Sequence, residues 1–396
     1  MSANPFLPYG RQAIDDDDVA AVAAALRSDF LTTGPRVGAF ESAFASATGA
    51  THAVACNSGT AALHLAMLAL DLGPGQGVIV PSMTFLATAN AVRMTGADVV
   101  LADVDPDTGL MTPETLADAI TKANATGLKL KAAIPVHLNG QICDMERLHR
   151  VARDHGLCLV EDACHALGTP GIAATPHSLM ACFSTHPVKA IATGEGGMVA
   201  TADATLAERM RRLRNHGMIR APEAFEDRAL AFEGDRPNPH YYEMHEIGWN
   251  YRIPDILCAL GMSQLKKLDR FWCRRAELAA LYDRLLRPLA PALRPVPHAG
   301  RPHGWHLYPV LVDFAGIGTS RARFMETLAA EGIGTQVHYI PVHRQPYYRR
   351  RYGELALPGA EAYYARCLSI PMFPSMTDTD AERVAQALGR LIVRPL

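Results

Sequence analysis

The sequence has no run approaching the ~20 consecutive apolar residues that a membrane-spanning helix requires. Its start, Met1-Ser2-Ala3-Asn4-Pro5, does not pair a basic flank with a long apolar core. A soluble, cytoplasmic protein with no membrane partner is the expectation. The eight cysteines (Cys56, Cys143, Cys158, Cys164, Cys182, Cys258, Cys273 and Cys367) form no Cys-x-x-Cys pair and no zinc-like grouping with histidines, so reduced, mostly buried thiols and no metal are expected. Neither a P-loop nor a G-x-G-x-x-G is present, which weighs against nucleoside triphosphates and dinucleotides. Net charge is also lacking: 38 basic against 40 acidic side chains leave −2, which gives no support to nucleic acid as a partner. Lysine is scarce. Only Lys122, Lys129, Lys131, Lys189, Lys266 and Lys267 occur, so chemistry needing a lysine amine has few candidates.

What is present is length and apolar content. With 396 residues and 49% hydrophobic composition, the chain can bury a large core and divide into about two domains. From about residue 50 to 202 it alternates short apolar runs with helix-period segments, the pattern of a parallel sheet covered by helices. Strands are predicted at His52–Cys56, Val78–Val80, Val99–Asp103, Ala132–His137, Cys158–Glu161, Cys182–Thr185 and Met198–Thr201. Helices are predicted at Ala61–Leu70, Thr84–Thr95, Pro113–Lys122 and Met145–His155. An arginine-rich helix follows Asp203, then an excursion over roughly 221–245, then helices from Ile253 to Leu286. Prolines near 288–303 mark a boundary, giving an N-terminal arm and large domain over 1–287 and a small α/β domain over 288–396. The small domain is predicted to hold strands at Leu307–Asp313 and Gly334–Tyr339 and helices at Arg321–Glu331 and Asp380–Ile392.

Ligands in open parallel sheets collect beyond the carboxyl ends of the strands, where Ser58, Phe85, Asp162 and Ser184 fall. Lys189 lies between a strand and the glycine-rich Gly194-Glu195-Gly196-Gly197, amid small and apolar residues that could desolvate its amine. A lysine to hold an aldehyde and a carboxylate to keep a pyridine nitrogen protonated are the two groups pyridoxal phosphate needs. Asn57-Ser58-Gly59-Thr60, where a strand runs into a helix, supplies N–H groups suited to its phosphate. Each residue also has a plainer reading. Ser58 could simply cap its helix, Asp162 could be a cap, Phe85 a core aromatic and His165 a core or loop histidine. The arginine clusters at 209–214 and 349–351 read as solvated faces. His338, Tyr339 and His343 lack metal-site company.

Asn-Ser-Gly-Thr-Ala-Ala-Leu-His at 57–64, Pro-Ser-Met-Thr-Phe at 81–85, Glu-Asp-Ala-Cys-His-Ala at 161–166, Phe-Ser-Thr-His-Pro-Val-Lys at 183–189 and Gly-Glu-Gly-Gly at 194–197 occur in the order and spacing of one family. By these motifs the chain resembles, over nearly its whole length, the DegT/StrS-type sugar aminotransferases, a branch of the fold-type I pyridoxal phosphate enzymes. The resemblance implies an α/β fold with a mostly parallel seven-stranded sheet between helices. It makes Lys189 the Schiff-base lysine and proton shuttle, and Asp162 the partner of the pyridine nitrogen. Phe85 would stack on the ring. Ser58, Gly59, Thr60 and Ser184 would hold the phosphate, helped by Asn250 from the second subunit of a homodimer. His165 stands where many relatives have Gln, near the ring oxygen. The segments 214–218, 241–252 and 334–343 resemble those of members that move the amine of L-glutamate to C4 of a UDP-4-keto-6-deoxy-N-acetylhexosamine. Thr33, Gly34, His338 and Tyr339 are then candidates for the sugar side. The alternatives are a lyase or dehydratase of keto sugars and a non-catalytic regulatory protein on the same fold. In dehydrating relatives His replaces the lysine, so Lys189 argues against that chemistry.

Overall fold

The computed structural model describes residues 5–174, 176–298, 300 and 302–393. Seven strands form one sheet: β1 His52–Cys56, β2 Gln76–Pro81, β3 Asp98–Ala102, β4 Lys129–Ala133, β5 Cys158–Asp162, β6 Met180–Ser184 and β7 Gly197–Thr201, in spatial order β1-β7-β6-β5-β4-β2-β3. Only β7 runs against the others. That reversal puts its first residue, Gly197, beside both Cys56 and Ser184, the last residues of β1 and β6. One end of the sheet thus collects the carboxyl ends of six strands and the amino end of the seventh.

The strands are buried on both faces, as expected of a sheet between helix layers. Val54, Ile79, Val80 and Val160 are fully excluded from solvent, each contributing about 1.5–3 kcal/mol. Helix α1 is Asp16–Leu26 and α2 is Pro35–Thr48, started by a proline in its first turn and ended by Gly49 in the left-handed region (φ 77°). Helix α3, Gly59–Ala69, starts directly after β1, and its alanine-rich inner face packs close to β6 and β7. Helices α4 (Leu86–Met94), α5 (Pro113–Asn124) and α6 (Met145–Asp154) follow β2, β3 and β4, with Thr112 and Asp144 capping the last two. The segment after β7 makes α7, Ala204–Leu213.

The predicted β4 is displaced: it spans Lys129–Ala133 and not Ala132–His137. Pro135 cannot donate to a ladder, and beyond it only a bridge between Val136 and Asp162 continues the pairing. The predicted strand at Gly334–Tyr339 is absent as a strand. That stretch makes one isolated bridge, Gln336 to Ser369. A strand not foreseen, Cys367–Ile370, pairs instead with Tyr308–Val312, which also pairs with Leu293–Pro295. A second core forms around this sheet, drawing Leu7 and Leu278–Leu286 from before residue 287 and Leu293–Leu391 from after it. The excursion near 221–245 holds a short helix, Arg228–Ala231, and two small ribbons.

The arginine clusters are tied down. Arg209 and Arg212 pair with Glu246, and Arg214 pairs with Glu41, which also accepts the Ala55 N–H at 2.9 Å. Arg351 holds Asp98 at 2.7 Å. The eight cysteines are free, and Cys273 is the exposed one. Among the described residues no helix is long and apolar enough to cross a membrane.

Candidate active site

Lys189 rides on a loop closed at its base. The Thr185 N–H donates to the Gly196 carbonyl and the Thr193 N–H to the Thr185 carbonyl, both at 2.9 Å. The two threonine hydroxyls, fully buried, bond to each other at 2.6 Å. Within the loop the Lys189 N–H donates to the His186 carbonyl at 2.8 Å. Lys189 as a whole residue is half-buried, and desolvation of its amine holds the pKa below the ordinary lysine value, against the opposing pull of Cys164 and Asp162. Lowering favours the neutral, nucleophilic amine.

The turn between β1 and α3 faces the end of β6. Ser58 satisfies the capping reading, since its hydroxyl accepts the Ala61 N–H at 3.1 Å. The Gly59 and Thr60 N–H groups belong to the first turn, where a helix offers no internal acceptor. Glycine is required twice here. A Cβ on Gly59 would lie 2.8 Å from that of Ser184, and one on Gly197 would lie 2.2 Å from the Ser58 carbonyl oxygen. This is a close backbone cradle with a helix N-terminus at its floor, suited to a phosphate. Asn57 ties it to another segment: its N–H donates to the Tyr251 carbonyl at 2.9 Å and its side chain to the Asn250 carbonyl at 3.4 Å. Asn250 itself is exposed.

Asp162 ends β5 and is nine-tenths buried. One carboxylate oxygen accepts the Thr88 hydroxyl at 2.7 Å, and the other accepts the Cys164 N–H at 3.2 Å. Thr84 bonds Thr88 at 2.7 Å, so a chain of hydroxyls from the start of α4 and the turn before it fixes the carboxyl plane. Glu161 pairs on the opposite face with buried His137 at 2.6 Å. Replacing Thr88 by Val keeps the shape but leaves a buried carboxylate oxygen without its donor. We expect a loss of about 1–3 kcal/mol in stability to denaturant; a change within about 0.5 kcal/mol, the range of an ordinary surface substitution, would contradict this geometry.

His165, His338 and Tyr339 join this end of the sheet. The Asn139 N–H donates to His165 Nδ1 at 3.2 Å, so the imidazole proton sits on Nε2, 3.1 Å from the Tyr339 hydroxyl. Burial, with Lys189 and His338 nearby, holds the His165 pKa well below the ordinary range. His338 bonds Ser369 at 2.8 Å. The Phe85 ring, 56% exposed, stands 5.6 Å from the Tyr339 ring. Thr33 and Gly34 do not line this cluster. They border a separate cavity of about 320 Å³ with Glu41, Arg211, Arg214 and Arg252. The Gly34 N–H binds the buried Asp255 carboxylate at 2.8 Å.

Sequence reading missed Thr88, Asn139 and Cys164. Thr88, three residues beyond Phe85 in the first turn of α4, carried a positional signal. Asn139 carried none, because its contribution is a backbone N–H.

The residues fit pyridoxal phosphate: a buried carboxylate anchored on two sides, a desolvated lysine, and a backbone cradle at a helix N-terminus that side chains would fill. Three comparisons agree. The Bacillus subtilis (strain 168) spore coat polysaccharide biosynthesis protein SpsC is 40% identical over 395 residues, covering 98% of each chain. The structure of Helicobacter pylori PseC, an aminotransferase involved in the biosynthesis of pseudoaminic acid, superposes with a TM-score of 0.87 at 29% identity, covering 98% of this chain and 99% of that one. That of S. venezuelae DesV, in complex with a ketimine intermediate, gives 0.84 at 34% identity over 99% and 100%. Residues 12–389 match the family description itself, and the chain accordingly belongs to the DegT/DnrJ/EryC1/StrS aminotransferase family, the pyridoxal phosphate-dependent sugar aminotransferases.

Proposed function

We propose that the protein moves the amino group of L-glutamate to C4 of a UDP-4-keto-6-deoxy-N-acetylhexosamine in two half-reactions. Bound pyridoxal phosphate supplies the aldehyde that takes up the amine and the ring that delocalises electrons. Lys189 would hold the cofactor and, once displaced by the donor, would move a proton between the substrate carbon and the cofactor's aldehyde-derived carbon, as base and then acid. Its desolvation suits both roles. Asp162, held by Thr88 and Cys164, would face the pyridine nitrogen. Ser58, Gly59, Thr60 and Ser184 take the phosphate, and Phe85 covers one face of the ring. The observation that carries amine transfer over dehydration is Lys189 itself, braced on its closed loop.

A homodimer completes the site in this reading, with the exposed Asn250 serving the neighbouring subunit. The reaction is placed in the cytoplasm, and the division into a large domain over 1–287 and a small one over 288–396 is retained. His338 and Tyr339 are assigned to the substrate side. Thr33 and Gly34 are assigned there only through the arginine-lined cavity, whose charge suits a diphosphate. The similarity to SpsC and PseC favours a product destined for a surface polysaccharide or for a pseudaminic-type sugar.

The visible spectrum of the purified protein tests this. The cofactor band should fade with L-glutamate and return when the UDP-4-keto sugar is added. A band unmoved by glutamate would overturn the donor. A band that fades but does not return would overturn the acceptor.

The pH dependence has a defined sign. The amine of Lys189 has a lower pKa folded than unfolded. Between the two values the unfolded chain holds more protons, so this residue's contribution to stability rises with pH there. Labelling of Lys189 in cofactor-free protein by a reagent for neutral amines should therefore show a midpoint below the ordinary lysine value of about 10.4. A midpoint at or above that value would contradict the desolvated site.

A further inference from the structure

His165 stands where the family resemblance places a partner for the cofactor's ring oxygen, yet both of its ring nitrogens are engaged within the chain. Nδ1 accepts the Asn139 N–H at 3.2 Å, and Nε2 carries the proton 3.1 Å from the Tyr339 hydroxyl. An imidazole has no third polar atom. The arrangement is built in. Asn139 adopts a left-handed conformation (φ 64°), uncommon for a residue other than glycine, to aim its N–H at His165. Its side-chain amide donates to Tyr363 at 2.9 Å. Gly140 follows (φ 102°), where a Cβ would lie 2.9 Å from the His165 carbonyl oxygen. The His306 ring packs 4.4 Å from that of His165. Rotating His165 toward a ligand would break two hydrogen bonds inside this packed shell.

Tyr339 is the member of the pair with a proton to give. Its oxygen accepts from His165, and among the described residues it has no second hydrogen-bond partner. Its ring is partly exposed beside Phe85. We infer that the Tyr339 hydroxyl, and not His165, donates the side-chain hydrogen bond to the phenolic oxygen of bound pyridoxal phosphate, with His165 as the positioning residue that aims it. This rests on the cofactor reading above. The phenolic oxygen is attached next to the aldehyde-bearing carbon, on the stretch of ring between the atoms that Lys189 and Asp162 engage. Both members of the pair stay uncharged at neutral pH. Burial, Lys189 and His338 push His165 down, while burial with Asp162, Cys164, Tyr9 and Tyr363 pushes Tyr339 up.

The test is the pH at which the visible band of the loaded enzyme changes. A donor to the phenolic oxygen stabilises the deprotonated chromophore, so Tyr339→Phe should raise that pH by about one unit. His165→Leu should raise it similarly, and the double variant no further, because the two act as one unit. In His165→Gln the amide reproduces one acceptor and one donor, so the titration should stay near that of wild type. In the cofactor-free wild-type protein, nitrogen-15 NMR should show His165 neutral at neutral pH with its proton on Nε2, a readout independent of how any variant folds. An Nδ1 proton, a charged imidazole, an unshifted Tyr339→Phe titration or shifts that add in the double variant would each overturn the inference. A wild-type protein without a visible band overturns the cofactor reading together with it. A normal wild-type band with an unshifted Tyr339→Phe overturns this inference alone.

Discussion

Replacing Lys189 by alanine is expected to lower amine transfer by about 10³-fold or more, since the anchoring nucleophile and the proton carrier are lost together and proton transfer alone contributes about 10²–10⁴-fold. The loop should survive. Its base is closed by the Thr185–Thr193 hydroxyl pair and by the backbone bonds of Thr185 with Gly196 and Thr193, none of which involves the lysine side chain. The melting temperature of the cofactor-free variant should therefore stay near that of wild type. Lys189→Arg should be no better, because a guanidinium does not deprotonate in proteins and cannot form the covalent link. Product formation under saturating donor and keto sugar measures the effect. A variant retaining a tenth of the wild-type rate would remove Lys189 from the chemistry.

Asp162→Asn is the second large effect. The substitution keeps size and an acceptor for the Thr88 hydroxyl, but it removes the carboxylate proposed to face the pyridine nitrogen. Removing one preorganised electrostatic partner from a buried site lowers turnover by about 10²–10³-fold. The loss should fall on kcat in enzyme loaded with cofactor, with a smaller change in KM for the keto sugar, because the proposed role of Asp162 is toward the ring and not the sugar. A defect confined to KM would mean that Asp162 binds substrate. Asp162→Asn and Thr88→Val also separate charge from positioning: the first removes the anion, the second only one of its two donors.

Much of this site was legible because its members follow the strands in sequence. Ser58 follows β1, Asp162 ends β5, and Ser184 ends β6. A parallel sheet brings all such positions to one end whatever the strand order. The strand order was not legible, nor was the reversal of β7, which turns Gly197 into a wall of the backbone cradle at the start of α3. The stretch Gly334–Tyr339 shows the opposite failure. The stretch has strand-like composition, yet Cys367–Ile370 takes the place beside Tyr308–Val312, because competition for a sheet edge is settled by packing.

The sequence by itself determined the fold class, the candidate lysine and carboxylate, and the family, because periodicity and motif spacing are local and survive in one dimension. Only the tertiary structure decided which groups meet. It separated Thr33 and Gly34 from the Lys189 cluster and brought Thr88 to Asp162 across 74 residues. It also fixed the His165 proton through a backbone N–H that has no signature in any side chain. Hydrogen-bond direction depends on atoms placed within about 3 Å by distant segments, and no local pattern encodes that distance.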